Sequence, residues 1–150
     1  MNLVFTGISL QTAKVSRNMD KRNINEAEPY TTKDGSEIRE LLAYRNSAVR
    51  LQSLAEARLS LGRSTTPHRH GRSEEIYFIL EGEGLMKIEQ EQQRVVTGDA
   101  IAILPGQWHQ IRNTGSCQLR FLCCCTPPYE HDDTDLADGE DTAPDSMGPR

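Results

Sequence analysis

Short runs of alternating apolar and polar residues, cut apart by glycine, constrain this chain more than any other feature. Leu51, Ser53, Ala55, Ala57, Leu59 and Leu61 alternate with Gln52, Glu56, Arg58 and Ser60, and Leu54 breaks the polar side. Successive side chains of an extended chain point to opposite faces, so this period of two predicts a strand with one buried face. Further short runs follow at Glu75–Leu80, Gly84–Glu89, Gln93–Val96, Ala100–Leu104, Gln107–Arg112 and Cys117–Cys125. Gly62, Gly71, Gly82, Gly98, Gly106 and Gly115 punctuate them. Many short strands at regular spacing predict an all-β domain, folded as a sandwich or closed barrel. The 150 residues suit one domain with one core.

The ends read differently. Residues 1–22 carry no clear periodicity and are expected to form a flexible N-terminal arm. Glu28-Pro29 and Lys33-Asp34-Gly35 are turn signals. Between Gly35 and Asn46, Glu37-Ile38-Arg39-Glu40-Leu41-Leu42 fits one helical turn or a short strand, and the pattern alone does not separate them. After Pro127-Pro128 the apolar residues thin out. Residues 132–150, rich in Asp, Glu, Gly and Pro, are expected to be an acidic, disordered tail, because they bury too little area to offset their ordering entropy. The expected domain spans 23–131.

Charge excludes some partners. The net charge of −5 comes from the acidic tail, and the region between the two ends is close to neutral. No basic field of the kind nucleic acid requires is present, and no apolar run approaches the length of a membrane span. The basic residues near the N-terminus follow the apolar stretch Met1–Leu10 instead of preceding it, the wrong order for a secretory signal. A cytoplasmic location is therefore expected. Three of the four cysteines are consecutive, Cys123, Cys124 and Cys125. Neighbours on a strand face opposite ways, which suits disulfide pairing poorly, so they read as reduced thiols acting as small apolar residues.

Three of the four histidines form one constellation. His68 and His70, two apart, share a strand face, so both imidazoles can point at one metal. Glu75 opens the next apolar run and can add a carboxylate across the turn. His109 follows a later glycine-punctuated strand. A His-x-His pair by itself is commonly incidental, but imidazoles with a carboxylate suit Fe, Mn, Ni, Co or Zn. Three His and one Glu would leave one or two positions open on a five- or six-coordinate ion.

The spacing of these residues resembles a known family. Residues 62–82 read G-x5-H-x-H-x4-E-x6-G, filled by Gly62, His68, His70, Glu75 and Gly82, and resemble the first cupin motif. Residues 98–113 read G-x7-G-x2-H-x3-N, filled by Gly98, Gly106, His109 and Asn113, and resemble the second. The departure is Pro105, one place later than the usual proline, which leaves His109 in register. The gap between the motifs, residues 83–97, is short, as in small microbial cupins. The resemblance covers about residues 50–126. It implies a single-domain jelly-roll β-barrel holding one divalent transition metal through His68, His70, Glu75 and His109. Glu75 is preferred over Glu74 because it stands seven residues before Gly82, where the motif expects it. Cupins catalyse many reactions, so the resemblance implies a metal-dependent enzyme acting on a small organic acid or sugar derivative without choosing the reaction. The alternative is a non-catalytic cupin that binds metal or a small ligand.

Strand parity extends the site. Tyr77 shares parity with Glu75, and Gln107 and Ile111 share parity with His109, which makes all three pocket candidates. Arg120 is expected to face outward, with Leu119, Phe121, Cys123 and Cys125 inward. Ile76, Phe78 and Leu80 oppose Tyr77 and Ile79, so this strand is apolar on both faces. Such strands are usually covered on both sides, and a homodimer is the expected assembly.

Overall fold

The computed structural model describes residues 18–137. These contain eleven strands and one 3-10 turn. β1 is Tyr30–Thr31, β2 Glu37–Leu42, β3 Ser53–Leu59, β4 His68–His70, β5 Glu74–Glu81 and β6 Glu83–Ile88. β7 is Glu91–Val96, β8 Ala100–Ile103, β9 His109–Asn113, β10 Leu119–Thr126 and β11 Thr134–Leu136. One sheet has the order β1-β2-β3-β10-β5-β8 and the other β11-β4-β9-β6-β7. From β3 onward the chain alternates between the sheets, apart from the β6–β7 hairpin. All pairings are antiparallel. This is a jelly roll, the all-β architecture expected from the glycine-punctuated runs.

Segment 37–42, open between helical turn and strand in the sequence, is a strand because it pairs with β3, Ile38 facing Ala57. The backbone demands glycine at Gly84, where β6 crosses β9. A Cβ there would lie 2.7 Å from the Arg112 carbonyl oxygen and 3.0 Å from Leu119.

The inner faces of both sheets form one core, with Ala57, Leu59, Ile79, Ile103, Leu119 and Phe121 from the first sheet and Met86, Val95 and Ile111 from the second. Along β5 the inward residues run Ile79, Tyr77, Glu75, and along β10 they run Leu119, Phe121, Cys123, Cys125, the two strands being paired Ile79–Phe121, Tyr77–Cys123 and Glu75–Cys125. Apolar side chains therefore close one end of the barrel and polar ones gather at the other.

The outer face of the six-stranded sheet is half charged and half apolar. Arg120 faces outward, its Nε 2.6 Å from Glu56, which also accepts from Arg58 at 2.9 Å. Glu56 is fully buried beneath these two guanidinium groups, and such a carboxylate is tolerated only because it is paired. Ile76 and Phe78 are 44% and 39% exposed, flanked by Cys124, Leu122, Ala100 and Ala102 on the neighbouring strands.

Paired structure reaches beyond the expected domain end at residue 131. Thr134, Asp135 and Leu136 of the expected tail pair antiparallel with β4. Asp133 accepts from the Arg72 and Ser73 backbone amides at 3.1 and 3.2 Å. At the other end, Asp20 accepts from Ala48 N at 2.7 Å and Arg22 donates to Asn46 O at 2.6 Å. The rest of the expected arm and tail, residues 1–17 and 138–150, lies outside the described residues. Among the described residues no helix is long and apolar enough to cross a membrane.

Candidate metal centre

The period of two along β4 turns both His68 and His70 inward, and the β4–β9 pairing sets His68 directly opposite His109. Glu75 comes from the other sheet, at the polar end of β5. One potential ligand atom from each of His68, His70, Glu75 and His109 lies within 4.8 Å of the others. All four residues are buried. Glu75 Oε2 is 3.1 Å from His70 Nε2 and 3.4 Å from His109 Nε2.

Hydrogen bonds behind the rings decide which nitrogen faces the centre. His68 Nδ1 is 2.7 Å from the Thr66 carbonyl oxygen and His109 Nδ1 is 3.0 Å from that of Gln107. Carbonyl oxygens only accept, so both Nδ1 atoms carry the proton. His70 Nδ1 is 3.1 Å from Thr134 Oγ1, whose own hydrogen goes to the Glu130 carbonyl at 3.0 Å. Thr134 therefore accepts from His70 Nδ1–H. With Nδ1 of each ring donating away from the centre, Nε2 is the atom that faces it, the arrangement that orients imidazole ligands on a metal.

The electrostatics match. Burial, reinforced by the neighbouring His109, pushes His68 down to about 4, so its ring is neutral and ready to coordinate. Burial alone would raise Glu75, but the His109 and His70 side chains beside it outweigh that and hold the carboxyl far below its usual range. His109 Nε2 is buried without a hydrogen-bond partner among the described residues. An orphaned ring nitrogen beside an ionised carboxylate fits a cation, and the N/O donor set suits a divalent transition metal.

A cavity of about 50 Å³ opens beside the cluster. Tyr77 lines it, fully buried, with Phe121, Cys123 and Cys125. Burial raises the Tyr77 phenol well above its ordinary value, so it stays protonated. Cys125 donates its thiol hydrogen to Glu75 Oε1 at 3.4 Å, and burial raises the Cys125 thiol as well. It braces the carboxylate as a neutral thiol. Gln107 and Ile111 do not line this cavity. The Gln107 Oε1 is turned back to the Leu104 amide at 2.8 Å, closing the turn before β9. Ile111, one inward step past His109, is fully buried in the apolar core. Glu74 is exposed and points away.

Sequence reasoning missed Asp34, Thr134, Tyr129 and Ser53, which also line the cavity. Asp34 carried only a turn signal. Its Oδ2 lies 3.7 Å from His68 Nε2.

Residues 55–125 match the family model Cupin_2, described as a cupin domain. An uncharacterized protein of Methanocaldococcus jannaschii is 48% identical over 116 residues, 77% of this chain and 93% of that protein. An oxalate-binding protein of Thermotoga maritima is 37% identical over 68 residues, 45% of this chain and 56% of that one. Among solved structures, a predicted oxalate decarboxylase of Thermotoga maritima superposes with a TM-score of 0.64 at 27% identity, covering 71% of this chain and 97% of that chain.

Proposed function

The chain belongs to the cupin superfamily, and on that premise we propose that it is a metal-dependent cupin enzyme acting on a small organic acid or sugar derivative through a mononuclear 3-His-1-Glu site. One observation carries this reading. Three buried rings, each with its Nδ1–H held from behind, present Nε2 to a common point beside the ionised Glu75. His68, His70, Glu75 and His109 would hold the ion. A divalent metal bound there supplies a Lewis acid that polarises a coordinated oxygen. The chain's own residues do the rest. Tyr77 offers a protonated hydroxyl at the cavity wall. Phe121 and Cys123 exclude water from its inner side, and Cys125 keeps Glu75 from swinging.

A second reading, a binding cupin without catalysis, is favoured by the likeness to the oxalate-binding protein of Thermotoga maritima. Elemental analysis of protein purified without chelator or nickel resin tests the metal, with about one divalent ion per chain expected. Iron would favour dioxygen chemistry, and manganese, nickel or zinc would favour isomerase, lyase or decarboxylase chemistry. The metal-loaded protein is then offered a panel of small hydroxy acids, dicarboxylates and sugars, followed by NMR. Conversion of a panel member supports the enzyme. Saturable binding without conversion supports the second reading, and metal-free protein overturns the enzyme. The partner in this reading is a second copy of the chain, supported by the exposed Ile76 and Phe78 patch, and the setting is the cytoplasm.

A further inference from the structure

The cavity beside the cluster is lined by three acidic side chains, Asp34, Glu40 and Glu75, and by no Lys or Arg. Two of these charges have counterparts. Glu75 faces the metal position, and Glu40 is paired with Arg45 at 2.9 Å. Asp34 is different. Its Oδ1 accepts from Thr32 Oγ1 at 2.5 Å, Ser36 N at 3.0 Å and Ser36 Oγ at 2.7 Å. Those bonds fix the plane of the carboxylate and leave Oδ2 aimed at the metal-facing nitrogen of His68. The turn that carries it is itself tied down. Thr66 N donates to Asp34 O at 2.7 Å, and Lys33 Nζ reaches the Thr134 carbonyl at 2.6 Å. Asp34 is 9% exposed, so water screens it little.

The charge count follows. A divalent ion with Glu75 leaves one positive charge, and Asp34 cancels it. A dicarboxylate entering this space would meet Asp34 with no guanidinium or ammonium to pair with, and like charges at this range and low screening repel strongly. A hydroxyl group would instead find a fixed acceptor in Asp34 Oδ2. Size sets the other bound. About 50 Å³ limits the ligand to a handful of heavy atoms.

We infer that Asp34 makes this a site for small uncharged ligands bearing hydroxyl groups, of the hydroxy-carbonyl or short polyol class, with Asp34 accepting the ligand's O–H and excluding dicarboxylates. This rests on the metal reading above and narrows it toward the sugar-like ligands.

The test uses the full chain loaded with Co(II), whose visible absorption reports ligands entering the metal's surroundings. Dihydroxyacetone is the neutral probe and oxalate the dianionic one, with cobalt content checked after gel filtration. The wild-type spectrum is expected to shift with dihydroxyacetone at concentrations where oxalate leaves it unchanged. Asp34→Asn keeps an oxygen for the three donors and removes the charge. It should tighten oxalate at least about tenfold and weaken dihydroxyacetone. Asp34→Ala, which removes the acceptor outright, should relieve the oxalate exclusion to the same extent. Cobalt uptake with oxalate bound equally by all three proteins would overturn this inference alone. A wild-type protein that takes up no cobalt would overturn the metal reading and this inference with it.

Discussion

Thr134→Val probes the metal centre without touching a ligand. The substitution keeps the β-branched shape that fits β11 and removes the hydroxyl 3.1 Å from His70 Nδ1. The Nδ1–H is then buried without an acceptor, since His70 is 4% exposed. Leaving such a donor unmet costs about 1–3 kcal/mol, and the ring loses the bond that fixes its tautomer and tilt. Removing such supporting partners typically lowers metal affinity by about 10–100-fold, or about 1.4–2.7 kcal/mol, in agreement with the hydrogen-bond figure. Thr134→Ser, which retains the hydroxyl, should bind within about threefold of wild type. Competition against a chromophoric chelator reads the affinity. Thermal unfolding of the metal-free variants separates a folding defect from a site defect. A Val variant that binds metal as tightly as the Ser variant would refute the claim that Thr134 orients His70.

Other outcomes follow from the same geometry. His70→Ala should lower metal content at least about tenfold, because a lost ligand costs more than a lost support; full occupancy in that variant would refute the ligand assignment. Metal-free protein should lose stability in acid. His68 sits at about 4 against an ordinary 6.5, so as pH falls through that window the unfolded chain takes up the proton first, and stability drops by up to about 3 kcal/mol. Glu75 acts in the same direction lower down. Its folded-state value is depressed, so its contribution is present above the ordinary 4.5 and lost as pH falls below it. Urea titrations at pH 7, 5 and 4 follow His68 and a further one at pH 3 follows Glu75, and a flat profile would contradict them. Light scattering at micromolar concentration should give about twice the 16.9 kDa chain mass; a concentration-independent mass of one chain would exclude the dimer.

Local pattern made much of this protein legible. Alternation along residues 51–61 gave β3, because a period of two is a property of the extended backbone itself. The same parity turned His68 with His70, and Tyr77 with Glu75, to one side, and motif spacing joined them to His109. Parity, however, fixes only the face of a sheet. It says nothing of height along the barrel, and for that reason Ile111 matched His109 in parity yet lies in the apolar core, while Gln107 belongs to the turn below β9. The helix-or-strand ambiguity at 37–42 ended only when β3 supplied a ladder for it. Asp34 and Thr134 were beyond sequence reading altogether. Each is ordinary in its own segment, one in a turn and one at the edge of an acidic tail, and each gains its role from a histidine far away along the chain. Which donor stands behind which ring is settled by strand pairing between distant segments, and that pairing is decided by the closing of the barrel, not by any residue's immediate neighbours.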